Sequence, residues 1–198
     1  MSTAHVLDRL FNVSLVGVGG QGILLTSDVL ALAAMHAGLD VKKSEIHGMS
    51  QRGGSVISQV RFGARVHSPI IPDGQSDVLV SFERTEALRF AHLAKPGAKI
   101  LVNDMDRIPI TVSSGLQAPV QDADKRLAAY PGLTLIDANP LAIQAGNLRA
   151  ANVVLMGALA AFVPFDEEHW QAALRERIPA KLLEVNLRAF ALGRAAVG

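Results

Sequence analysis

The run Val13-Ser14-Leu15-Val16, the glycines of Gly17-Val18-Gly19-Gly20-Gln21-Gly22 and the apolar stretch from Ile23 to Ala37 carry the architecture of this chain. The run reads as a buried strand, the glycines as a tight turn and the stretch as a helix. Strand, glycine turn and helix together make an anion-binding loop. Glycine lets the backbone turn sharply and lets a ligand approach the main chain. The helix N-terminus offers unpaired N–H groups and the positive end of its dipole. Gly17, Gly19 and Gly22 keep the G-x-G-x-x-G spacing. A tight turn that binds nothing is the plainer alternative.

Downstream, Ser44-Glu45-Ile46-His47-Gly48-Met49-Ser50-Gln51-Arg52-Gly53-Gly54-Ser55 shows neither helical nor strand period and reads as a loop. It combines glycines, small hydroxyls, an amide and an arginine, a composition suited to holding a ligand or a partner chain. Between Lys42 and Arg65 lie Lys42, Lys43, Arg52, Arg61 and Arg65 against the single acid Glu45. Arg52, set between a polar pair and two glycines, is the candidate for phosphate or carboxylate recognition. Lys42 and Lys43 read as a solvated face. A NAD site places an acid about twenty residues beyond the glycines. Here that region is Lys42-Lys43-Ser44-Glu45, so only Glu45 is available, late, and the lysines suit NADP better.

Composition bounds the rest. The chain has 198 residues, 49% hydrophobic and 19% charged, with a net charge of +1. It reads as one domain over 1–198 with a large core or a partner surface, and no basic field points to nucleic acid. It has no cysteine, so it supplies no disulfide and no thiolate for an iron–sulfur cluster. The first ten residues contain Asp8 and Arg9 and lack an apolar signal core, and no apolar run is long enough for a bilayer. A soluble, cytoplasmic protein is expected, with no membrane partner.

In order, strands are expected at 13–16, 39–43, 56–62, 77–82, 99–102 and 133–136, with an edge strand at 108–112 and a loop at 113–119. Helices are expected at 22–37, 83–93 and 122–129. From Asn139 the period is helical, with Pro140 after an Asn cap, an apolar helix over 150–162, a helix from Asp166 to Arg175 and a last one from Pro179. Alternating strands and helices predict a single Rossmann-like, three-layer α/β domain with a largely parallel sheet, ending in helices over about 139–198. The first helix is apolar nearly all round, which implies burial between layers or against another subunit. Glu83, at a strand end, reads equally as a site residue or a helix cap. Asn152 reads as a buried hydrogen-bonding amide. The six histidines are scattered and form no metal site, although His47 falls in the candidate loop. No nucleophile–base pair or paired carboxylates stand out, so no catalytic residue is assigned in this chain.

The glycine loop and Glu45-Ile46-His47-Gly48-Met49-Ser50-Gln51-Arg52-Gly53-Gly54-Ser55 together resemble the gamma-type subunits of 2-oxoacid:ferredoxin oxidoreductases, and among them the indolepyruvate type. His67-Ser68-Pro69-Ile70-Ile71, Asp77 to Glu83 and Asn152 to Gly157 extend the resemblance over most of the chain. The resemblance implies a non-thiamine subunit of a hetero-oligomer that is inactive alone. Its larger partner would carry thiamine diphosphate, Mg and [4Fe-4S] clusters. The complex would decarboxylate an arylpyruvate, pass electrons to ferredoxin and form an acyl-CoA. This chain would help close the site and receive coenzyme A. The implied contacts are Gly17, Gly19, Gly20, Gln21, Gly22, Ser50, Gln51, Arg52, Gly53 and Gly54, with His47, Glu83 and Asn152 in support. Two other readings stay open: a purely structural subunit of such a complex, and a free-standing NAD(P)-binding oxidoreductase.

Overall fold

In the computed structural model, which describes residues 9–47, 54–106 and 122–197, the run at 13–16 is the middle of an eight-residue strand, β1 (Phe11–Val18). After α1 (Ile23–His36) come β2 (Asp40–His47), β3 (Ser55–Gly63), β4 (Ser76–Ser81) and α2 (Arg84–Phe90), which runs into a 3-10 turn at Ala91–Leu93. β5 (Ala94–Asn103), α3 (Ala123–Ala128) and β6 (Leu133–Ile136) follow. The end of the chain is helical: α4 (Ala138–Ala145), a 3-10 turn (Leu148–Ala150), α5 (Ala151–Leu159), α6 (Glu167–Arg177) and α7 (Ala180–Ala195).

The six strands form one sheet in the order β2-β3-β1-β4-β5-β6. β1, β4, β5 and β6 run parallel, while β3 pairs antiparallel with both β1 and β2. Alternation along the strands sorts the core into two layers, because successive side chains leave a strand on opposite faces. Val13, Leu15, Val78, Val80 and Leu101 face α1 and the C-terminal helices. Val16, Leu79, Ile100 and Val102 face α2 and α3 through Ala87 and Leu127. The result is one three-layer α/β domain.

Several elements differ from the expectation. Ser44 to His47 is strand: β2 continues until His47 pairs with Val56, because β3 supplies a partner along its whole length. A strand on a sheet edge needs no apolar alternation to be held by its ladder. The strand expected at 99–102 begins earlier, at Ala94, and Lys95-Pro96-Gly97 lie in a bulge inside β5, where pairing to β4 jumps from Ser76–Ala94 to Val78–Lys99. Gly97, at φ +77°, lets the backbone make that step. Asp137, not Asn139, holds the cap position of α4, so Pro140 lies two places deeper in the first turn. The apolar helix expected at 150–162 is shorter, Ala151–Leu159. The edge strand and loop expected at 108–119 lie outside the described residues.

The helical end is joined to the sheet. Phe165 meets Phe62 of β3 edge-on and stacks on Trp170, which is fully buried. α5 and α7 cross at Gly157 and Gly193. A Cβ at Gly157 would stand 2.0 Å from the carbonyl oxygen of Phe190, and one at Gly193 would stand 1.8 Å from that of Val154. The two helix backbones touch there, and no side chain fits between them. α1 is not covered all round: Ile23, Val29 and Leu30 are buried, while Leu24 and Met35 remain exposed.

Candidate functional site

β1 ends at Val18, and the chain turns through Gly19-Gly20-Gln21-Gly22 into α1. Gly22 holds the N-cap position of α1 with φ 88°, a left-handed conformation that suits glycine. The Gln21 side chain fastens the turn. Its Oε1 accepts from the Val18 N–H at 2.7 Å, and its Nε2 donates to Glu83 Oε2 at 3.2 Å. Glu83 follows β4 and is almost wholly buried. It stands at the cap position of α2, yet its side chain makes no capping bond there. Its carboxylate instead ties the end of β4 to the glycine turn through Gln21.

The second candidate segment meets the same turn. The Gly19 N–H donates to the Gly54 carbonyl oxygen at 2.9 Å. Beside it, the Ser55 hydroxyl donates to the buried carboxylate of Glu86. The far end of the second segment is therefore attached to the glycine turn. His47 is the last residue of β2; Ser50, Gln51, Arg52 and Gly53 lie outside the described residues. The Gly19 and Gln21 N–H groups are already engaged, the latter with the Val18 carbonyl at 3.1 Å. The donors left for a ligand are Gly20, Gly22 and the start of α1, a narrower set than the spacing alone suggested. At Gly20 a Cβ would meet nothing within 4 Å.

That open side faces a cavity of about 340 Å³. Gly20 and Gln21 line it together with Phe82, Asn103, Arg149 and Asn152. It lies beyond the carboxyl ends of β1, β4 and β5, where open α/β sheets bind ligands. Asn103 holds the rim, accepting from the Ala138 N–H at 3.1 Å. Asn152, in the first turn of α5, packs on Gly22 so closely that a Cβ there would come 2.5 Å from its Nδ2.

Residues 12–196 match the family described as pyruvate ferredoxin/flavodoxin oxidoreductase. The chain belongs to that family. It is 43% identical over 189 residues to indolepyruvate oxidoreductase subunit IorB of Thermococcus kodakarensis, covering 92% of this chain and 94% of that one. The IorB subunit of Pyrococcus horikoshii gives the same identity and coverage. Among solved structures, the gamma subunit of a keto/oxoacid ferredoxin oxidoreductase from Geobacter sulfurreducens superimposes with a TM-score of 0.69 at 25% identity. The superposition covers 94% of this chain and 98% of that one.

Within this oxidoreductase fold two of the basic residues expected near the loop, Lys43 and Arg61, are engaged elsewhere. Lys43 is shared by Asp28 and Glu45, so Glu45 is an ion-pair partner on β2 and not a ribose ligand beside the glycines. Burial acts to lower the Lys43 pKa, but bonds to the two carboxylates outweigh it and hold the pKa above the usual lysine value. Arg61 donates to the carbonyls of Ser68 and Ile70 and to Asn12, bracing the 68–71 connection. Among the described residues the cation that does reach the cavity is Arg149, which sequence reasoning missed. Its only signal was a polar Asn147-Leu148-Arg149 step in an otherwise apolar region. Asp166, Glu168 and His169 also converge, but they are solvent-facing at the start of α6, where acids are favoured by the helix dipole. Among the described residues no helix is long and apolar enough to cross a membrane.

Proposed function

We propose that this chain is the non-thiamine subunit of an indolepyruvate-type 2-oxoacid:ferredoxin oxidoreductase and that it contributes the glycine turn and the 48–53 segment to a coenzyme A site. The observation that carries this reading is the Gly19–Gly54 hydrogen bond, which joins two glycine-rich segments at a crevice beyond the parallel strand ends. Free N–H groups at Gly20, Gly22 and the start of α1 suit a pyrophosphate. Arg52, in the segment that returns to Gly54, suits a second phosphate through paired hydrogen bonds. The partner subunit would carry thiamine diphosphate, Mg and the iron–sulfur clusters, supplying decarboxylation and electron transfer to ferredoxin. Cysteine is absent from this chain, so any thiolate-held electron relay belongs to that partner. The whole of 1–198 acts as one unit, in the cytoplasm.

Two measurements test this. The isolated chain is expected to contain no iron or thiamine and to show no 2-oxo-acid-dependent dye reduction; turnover by the chain alone would sink the subunit reading. In the assembled complex, Arg52→Ala is expected to raise the KM for coenzyme A about ten- to a hundred-fold, the equivalent of losing one charge-assisted contact. Gly20→Val should do the same by blocking approach to the backbone. If both variants change only the KM for the 2-oxo acid, the turn serves the thiamine side or the subunit interface instead.

A further inference from the structure

A second cavity of about 350 Å³ adjoins the first, sharing Arg149 and Asn152 as lining. Its other walls include Leu25 of α1, Ile178 at the end of α6 and Leu182 in the first turn of α7. Three properties of this place point to a ligand. Asn152 is 8% exposed, opens onto both cavities, and its amide has no hydrogen-bond partner among the described residues. Its amide atoms open onto the cavities, so they can bond a ligand without first breaking an internal hydrogen bond. Arg149 is exposed, and its guanidinium has no ion-pair partner among the described residues. Leu182 is a large hydrophobic side chain left 39% exposed at the cavity mouth. Arg177 also lines this cavity, but it is held by Asp28 at 3.0 Å, and Asp28 also binds Lys43. Arg149 is therefore the cation available to a ligand.

An unpaired guanidinium, an unpaired amide and an apolar wall, reached from a glycine turn, fit a nucleoside that carries a phosphate away from its pyrophosphate. Resting on the coenzyme A reading, we infer that the ligand crosses the Arg149–Asn152 ridge. The purine lies against Leu25, Ile178 and Leu182, the amide of Asn152 bonds the ribose or base, and Arg149 holds the ribose 3′-phosphate. The ridge then distinguishes coenzyme A from its dephosphorylated form, while the glycine turn binds the pyrophosphate common to both.

The test uses the assembled complex, with coenzyme A and 3′-dephospho-coenzyme A as alternative substrates. Arg149→Ala is expected to raise the KM for coenzyme A about ten-fold and to leave that for the dephospho form within about two-fold. Arg149→Lys should restore part of the preference. Leu182→Glu, which places a like charge near the phosphate, should weaken coenzyme A and added adenosine 3′,5′-bisphosphate as an inhibitor. Lys125→Ala, on α3 against the opposite face of the sheet, controls for loss of charge. If Arg149→Ala raises both KM values alike, or neither, while Gly20→Val still raises that for coenzyme A, this inference is overturned and the coenzyme A reading stands. If Gly20→Val also has no effect, both fall.

Discussion

At Gly20 a Cβ would find no atom within 4 Å, whereas at Gly193 it would stand 1.8 Å from the Val154 carbonyl oxygen. The first glycine leaves room for something outside the chain. The second removes a side chain so that two helices of the same chain can touch. Composition cannot tell these uses apart, since both sit in segments rich in small and apolar residues. Their substitutions should separate cleanly: the helix crossing answers in stability, and the turn answers mainly in binding.

The largest effect is expected at the crossing. Gly193→Ala should cost about 3 kcal/mol, because rigid backbone has to move to admit one methyl group. Urea unfolding measures this directly. If Gly193→Ala unfolds no earlier than Gly20→Ala, the crossing is not clamped and the comparison breaks. Next comes Gln21→Leu. It removes the acceptor for the Val18 N–H and one donor to buried Glu83, and about 1–3 kcal/mol should be lost. Because Gln21 fastens the turn, this variant should also weaken coenzyme A binding, which sharpens the contrast with Gly193→Ala. Gly20→Ala itself should cost about 1–2 kcal/mol, the strain of a side chain at φ +98° and no more, since the space is open.

The smallest effect is electrostatic. Burial acts to raise the Asp28 pKa, but hydrogen bonds from Lys43 and Arg177 outweigh it, so its carboxyl lies below the usual aspartate value. A depressed folded pKa means stability that is present above the unfolded value of about 3.9 and lost as pH falls through the folded value. Asp28→Asn should therefore flatten the acid limb of the stability profile and change the glycine turn little. A large loss of coenzyme A affinity in that variant would mean that the Arg177 side of the second cavity matters more than Arg149.

Much of the fold was legible in the sequence because it rests on local period. The run at 13–16 and the apolar core Val78-Leu79-Val80 of the 77–82 segment could only be central strands, and the spacing of Leu183, Leu187 and Phe190 could only be a helix face. The continuation of β2 through His47 was not legible. It is imposed by the ladder to β3, a partner distant in sequence, and Lys42-Lys43-Ser44-Glu45 carries no alternation to announce it. The glycine turn was legible for the same local reason, and Glu83 could be named though not resolved. Arg149 was invisible, because its importance comes from α5 bringing residue 152 against Gly22, more than a hundred residues away in the chain.

The Gly19–Gly54 hydrogen bond also sets a rule for recombining relatives. A crossover placed between residues 22 and 48 draws the donor turn from one parent and the acceptor end of the other segment from the second parent. The bond itself survives, since it is backbone to backbone, but the height at which the two meet is fixed by β1–β3 register, from Val18 against Ser55 down to Phe11 against Phe62. Chimeras that exchange 11–63 as one block keep that register, and those that split it inherit two half-sites cut to different gauges.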